Sequence, residues 1–181
     1  MTLYFILLFL DYPFLMFTNG NCKYQNNQEL RVKSILRSYY KDVASESNGA
    51  IISSAKFNKF YGISQNMSPL RDSIYSVDHD NGHIVTNSSI VVSFASTQEI
   101  NQIIVWFYDL DGRKFNPKIT VQNKDNIEKV VFEDLLVQSI VKIKFPDQMV
   151  SSIKLSYMEG GTLNDLVIIK IQAFYARRNW T

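Results

Sequence analysis

The strongest constraint on this chain is a change of hydrophobic period at Asn48-Gly49. Before it, Val32, Ile35, Leu36, Tyr39 and Val43 recur at three- and four-residue steps, which places them on one helical face. Asn26 and Glu29 have the spacing of a capping box, so a helix is expected over residues 26–44, and Asn48-Gly49 supplies the turn that stops it. After Gly49 the side chains alternate, and an alternating pattern fits pleated strands. Val141-Lys-Ile-Lys-Phe145 and Ile153-Lys-Leu-Ser-Tyr157 each keep one face apolar and the other wet.

Further strands are expected over residues 51–57, 89–96, 118–122, 127–132 and 169–175. Ile90, Val92 and Phe94 share one face, and Ile119 and Val121 point inward on a strand that residues 127–132 would pair with. Ile103-Ile-Val-Trp-Phe-Tyr108 is apolar throughout, which suits a central strand covered on both sides. Turn signals stand at Asp80-Asn81-Gly82, Asp111-Gly112, Lys124-Asp125-Asn126 and Gly160-Gly161. About eight short strands at this spacing describe an all-β fold, a jelly-roll β-sandwich of antiparallel strands preceded by one helix.

Composition narrows the function classes. At 181 residues and 46% hydrophobic, the chain suits one domain with its own core plus an extension. The formal net charge is +2 and the basic residues are scattered, so nucleic acid is not an expected partner. Cys22 is the single cysteine, which excludes an intrachain disulfide and a zinc knuckle. The apolar run over residues 3–10 is too short to span a bilayer, so no stable membrane span is expected.

The same run fits a signal peptide over residues 1–20, although Asp11 interrupts it and no Lys or Arg precedes Lys23. Residues 21–47 would then be a helical extension, 48–176 the sandwich and 177–181 a tail. A cleaved leader implies a secreted or cell-surface protein; an uncleaved one implies a cytoplasmic protein. Both stay open, and the pattern does not set an oligomeric state.

Leu70-Arg71-Asp72 and Val77-Asp78-His79-Asp80 precede the strand Ile90-Val-Val-Ser-Phe94. Ile100-Asn-Gln-Ile103 then leads to Asp109-Leu-Asp111-Gly-Arg113-Lys-Phe115, followed by Ile119-Thr-Val121 and Asp125. Ile153-Lys154-Leu155, Ile171 and Phe174 close the series. This order resembles the F5/8 type C, or discoidin, domains of the galactose-binding-like fold. The nearest likeness is to the discoidin-like domains of BTB/POZ-domain-containing protein 9. The chain departs from the family at Ile127, where a tryptophan is common, at Lys154, where an arginine is, and in lacking paired cysteines.

The resemblance implies a non-enzymatic binding module whose ligand is gathered by loops at one end of the sandwich. Sugar-binding relatives of the fold use basic and aromatic loop side chains, which here would be Tyr61, Arg71, Tyr75, His79 and His83 in the long loop over 58–88. Asp109, Asp111 and Arg113 are further ligand candidates. Asp-Gly is also a preferred hairpin dipeptide, so the hairpin expected over residues 109–115 explains them without a ligand.

Asp72, Asp78 and Asp80, with His83, are candidate calcium ligands. Gly82 is fifth from Asp78, where an EF-hand loop needs glycine sixth, so a solvated turn is the preferred account and no cofactor is expected. Asn66, Asn87 and Asn179 begin glycosylation sequons that matter only if the chain is secreted. No nucleophile elbow, zincin helix or phosphate loop is present, so an enzyme is not expected. Two function classes remain: a secreted carbohydrate-binding or adhesion protein, and an intracellular protein-interaction module.

Overall fold

The alternating apolar residues build strands whose inward faces meet in one core. The computed structural model describes residues 41–53, 59–61, 68–70 and 83–176; of residues 59–61 and 83 it describes the backbone alone. Among these residues there are eight strands: β1 Ile51–Ile52, β2 Lys59–Tyr61, β3 His83–Thr86, β4 Ser89–Phe107, β5 Pro117–Gln122, β6 Glu128–Glu133, β7 Ile140–Tyr157 and β8 Leu166–Phe174. All pairings are antiparallel, in the order β2-β3-β8-β4-β7-β5-β6, with β1 beside the start of β4.

Two long strands fold this ladder into a sandwich. The first part of β4 pairs Ile90 with Leu155 and Val92 with Ile153, whereas its last part pairs Ile103 with Ile143. Between them the register shifts twice, at Ser93/Gln98 and at Ile100/Gln102. These irregularities let both strands pass from one sheet into the other, as strands do at sandwich corners. Pro146 lies in the second irregularity, where its missing N–H breaks no ladder bond.

The core follows from that register. Ile90, Val92, Ile119, Val121, Ile153 and Leu155 form the inner face of one sheet, and all are buried. Ile103, Val105, Phe107, Ile143, Ile171 and Ala173 form the other, also buried. Each of the Val, Ile, Leu and Phe side chains removed from water contributes about 1.5–3 kcal/mol. Within β8, every residue from Leu166 to Ala173 is buried, and the strand is a central one, with β3 and β4 on its two edges.

Several expectations change. The segments expected at 89–96 and 103–108 are one strand, as are those at 141–145 and 153–157. Their polar intervals look like turns in sequence but are the bends of continuous strands. The loop expected over 58–88 contains β2 and β3, because β8 offers β3 an edge to pair with. The strand expected over 51–57 covers Ile51–Ile52, with a turn at Ser53; residues 54–57 lie outside the described residues.

Residues 109–115 do not close a hairpin, since β4 and β5 each pair with β7 and not with one another. The segment crosses the end of the sandwich instead. It is fixed there by paired backbone hydrogen bonds between Phe115 and Val137 at 2.8 and 2.9 Å, and by stacking of Phe107 on Phe115 at 5.1 Å.

The expected helix does not extend over residues 41–44, which are irregular with a turn at Val43 and Ala44; residues 26–40, like 1–20, 21–25 and 177–181, lie outside the described residues. Val43 and Ala44 are buried in the sandwich core, and the Val43 N–H donates to Ala173 O at 2.9 Å. The compact unit is therefore Lys41–Ala176. Among the described residues a 3-10 turn, Glu46–Asn48, is capped by Ser45 and ended by Gly49 at φ 81°, so Asn48-Gly49 stops this short turn and not the helix expected over 26–44.

Candidate ligand-binding site

The link between β5 and β6 is a tight turn built by one side chain. Asn123 Oδ1 accepts the backbone N–H groups of Asp125 and Ile127, each at 2.9 Å. Asn126 takes the left-handed conformation at φ 61°, which asparagine tolerates better than most residues. Ser151 Oγ is placed 3.0 and 2.8 Å from the carbonyl oxygens of Gln122 and Asn123, tying the turn to β7. A turn held this way cannot fold its apolar residue inward, and Ile127 is 65% exposed.

Facing this turn are the bends of β4 and β7, where Gln98 pairs with Val150, Glu99 with Met149 and Ile100 with Gln148. Turn and bends enclose a depression of about 460 Å³ with Val121 among its lining residues. Met149, 54% exposed, and Ile127 give it apolar surface. Thr97, Asn123, Lys124, Asp125, Lys129 and Gln148 supply its polar groups.

Gln148 Nε2 is the one buried side-chain nitrogen or oxygen among the described residues that has no hydrogen-bond partner. An amide donor in that condition costs about 1–3 kcal/mol, and Gln148 is among the residues that line the depression. A smaller cleft of about 240 Å³ lies on the outer sheet face, lined by Ser89, Thr120, Gln122, Glu128, Ser152 and Lys154 among others. There the polar groups answer one another: Ser152 Oγ donates to Gln122 Oε1 at 2.9 Å and Lys154 pairs with Glu128 at 3.6 Å.

Of the candidate site residues singled out in the sequence, Asn87, Asp109, Asp111 and Arg113 are described with their side chains, and none of these four lines the depression. Tyr61 and His83 are paired across β2 and β3, so they lie on strands at the root of the 62–82 connection, not in a loop. Within that connection the described residues 68–70 lie beside the Phe174 end of β8: Ile171 N donates to Pro69 O, and Glu46 N to Leu70 O. Arg71, Asp72, Tyr75, Asp78, His79 and Asp80 lie outside the described residues, as do Asn66 and Asn179. Asn87 is exposed at the turn between β3 and β4.

Asp109, Asp111 and Arg113 sit at the opposite end, beyond Phe107 and near the start of β8. Asp109 accepts the Gly112 N–H at 3.1 Å through Oδ1 and the Ser139 hydroxyl through Oδ2. Arg113 Nε donates to both oxygens of Asp111 at 2.7 and 2.9 Å, and its guanidinium lies 4.8 Å over the Tyr108 ring. These groups hold the crossing segment. Among the described residues no group of three or more His, Cys, Asp or Glu is placed to hold a metal, and no helix is long and apolar enough to cross a membrane.

Gln148, Met149, Lys124 and Lys129 escaped the sequence reading because they belong to strands and turns that meet only when β7 bends. Ile127 carried a usable signal: an exposed aliphatic residue directly after a polar turn, where the resembled family has a tryptophan.

No family model matches the sequence, and no curated protein does. Among solved structures, a carbohydrate-binding module of family 32 from a Clostridium perfringens enzyme, in complex with GlcNAc-α-1,4-galactose, superposes with a TM-score of 0.51 at 11% identity. The match covers 74% of this chain and 93% of that one. The fold is a β-sandwich like that of this module. A truncated AlyQ with CBM32 and alginate lyase domains gives a TM-score of 0.53 at 14% identity, over 77% of this chain and 34% of that one. SpGH29 gives 0.56 at 12%, over 81% and 30%. The chain thus spans nearly the whole of the isolated module but about a third of the two longer chains.

Proposed function

We propose that residues 41–176 form a non-catalytic glycan-binding module. The observation that carries this is the depression at the β5–β6 turn, where exposed Ile127 and Met149 adjoin an unpartnered amide donor on Gln148. Sugars present apolar C–H faces beside hydroxyl groups, so a site of this kind needs both surfaces within one ligand's reach. The fold supports the reading, since a neighbour of the same architecture is a carbohydrate-binding module solved with a disaccharide.

The full chain, screened by calorimetry against soluble polysaccharides, is expected to bind at least one of them. Gln148→Leu and Met149→Ala should weaken that binding by about tenfold or more. Retained affinity in both variants would remove the depression from the proposal. Arg71, Tyr75 and His79 in the 62–82 connection form a second candidate set, tested by the same titrations on their alanine variants.

A glycan ligand accords with a secreted or surface location, for which the expected signal peptide at residues 1–20 is the motive. Expression in a eukaryotic cell would show a cleaved amino terminus and carbohydrate on Asn87; a retained product beginning at Met1 would overturn it. The likeness to the BTB-associated branch, and with it an intracellular protein-interaction role, rests on the residue series from Leu70 to Phe174 and on the lack of paired cysteines, with residues 109–115 its most specific part. There Asp109, Asp111 and Arg113 are engaged with one another's segment and with Ser139, so the proposal is not extended to it.

A further inference from the structure

We propose that the depression selects anionic glycans, with Lys124 and Lys129 taking the carboxylate or sulfate of an acidic sugar while Gln148 Nε2 donates to a neighbouring oxygen. This rests on the glycan-binding reading above. The argument is a balance of donors and acceptors. Lys124 and Lys129 both line the depression, and among the described residues neither takes part in an ion pair. Lysines elsewhere on the same sheet are neutralised: Lys118 by Glu133 at 3.1 Å and Lys154 by Glu128 at 3.6 Å.

Each ammonium group offers three donors and no acceptor, and Gln148 Nε2 adds a buried donor with no partner. The acceptor side is thin. Asn123 Oδ1 is spent on the Asp125 and Ile127 N–H groups, Thr97 Oγ1 and Gln148 Oε1 are neutral acceptors, and Asp125 is the single carboxylate among the described lining residues. A neutral sugar hydroxyl brings a donor and acceptors together, so it would leave ammonium charge unanswered. An acceptor-only anionic oxygen answers it, and charge-assisted hydrogen bonds of this kind are about twice as strong as neutral ones. Ile127 and Met149 remain for the apolar face of the ring.

The test uses the full chain and three polymers: polygalacturonate, the same polymer with its carboxyl groups reduced to alcohols, and a sulfated galactan. Polygalacturonate is expected to bind about tenfold or more tighter than its reduced form. Lys124→Gln/Lys129→Gln should abolish that preference without abolishing binding of the reduced polymer, and added salt should weaken the acidic polymer alone. Comparison with sulfated galactan separates carboxylate from sulfate recognition.

Equal affinity for the acidic and reduced polymers, unchanged in the double variant, would overturn the charge selection and leave glycan binding standing. Failure of all three polymers to bind a folded chain, with Gln148→Leu indistinguishable from the parent, would overturn both. Both lysines are on exposed turn and edge positions, so their glutamine variants are expected to fold.

Discussion

The Asp42 carboxylate accepts the Ala173 N–H through Oδ1 at 2.9 Å, and the same oxygen accepts the Ala44 N–H at 3.1 Å. One side chain thereby fastens the segment before β1 to the far end of β8. Burial pushes its pKa above the ordinary 3.8, while the hydrogen bonds from Ala173 and Ala44 and the charge of Lys170 oppose that shift without cancelling it. A raised folded-state pKa means that the folded chain binds the proton more readily. The stability contributed by protonation is full below about 3.8 and is lost as pH rises through the folded value.

Asp42→Asn keeps an acceptor and removes the titration. Its stability relative to the parent should rise with pH between about 3 and 7 and be greatest near neutrality. Asp42→Ala should cost about 1–3 kcal/mol at neutral pH, because two backbone donors lose their acceptor. Thermal melts of the three proteins across that range measure both effects; a parent and Asp42→Asn difference independent of pH would refute the first.

Asn101 closes the other side of the same end. Its side chain donates to Asp147 at 3.0 Å and Ala176 O at 2.7 Å, and accepts the Ala176 N–H at 2.7 Å. It is buried inside the irregularity between β4 and β7, where neither ladder can satisfy these groups. Asn101→Ala should lower the unfolding free energy by about 2–3 kcal/mol in urea titrations. Asn101→Asp should recover none of it, since a carboxylate cannot donate and would face Asp147.

Two glycines near the crossing segment should respond differently to alanine. At Gly161 a Cβ would meet Lys114 O at 2.8 Å, in a place where Thr162 and Lys114 are already hydrogen-bonded backbone to backbone at 2.9 Å. At Gly112, φ 71°, a Cβ would meet nothing within 4 Å. Gly112→Ala should therefore cost about 1 kcal/mol, the strain of a left-handed alanine, and Gly161→Ala clearly more. Equal shifts in melting temperature would show that the chain yields at Lys114.

Arg113→Ala removes a half-exposed ion pair and the stacking on Tyr108. Such surface contacts are worth about 1 kcal/mol or less, so the melting temperature should fall slightly. Glycan affinity should stay unchanged, because the residue lies at the other end of the sandwich from Gln148. A loss of affinity would return the 109–115 segment to the list of ligand contacts.

Alternation by itself determined which side chains of this protein are inside. Ile119, Val121, Ile153 and Leu155 are buried as their spacing requires, because a strand's period assigns faces before any partner is known. Spacing could not say which strands are neighbours. Register joined the segments around Ser93 and Pro146 into continuous bent strands, placed β7 between β4 and β5, and turned an expected hairpin into a crossing over the sandwich end. The depression is a product of the same choice. Asn123 to Ile127 read in the chain as a turn and Gln148 to Met149 as part of a strand, and they become one surface only because β7 bends beneath the β5–β6 turn, a relation set by long-range pairing that local residue pattern does not encode.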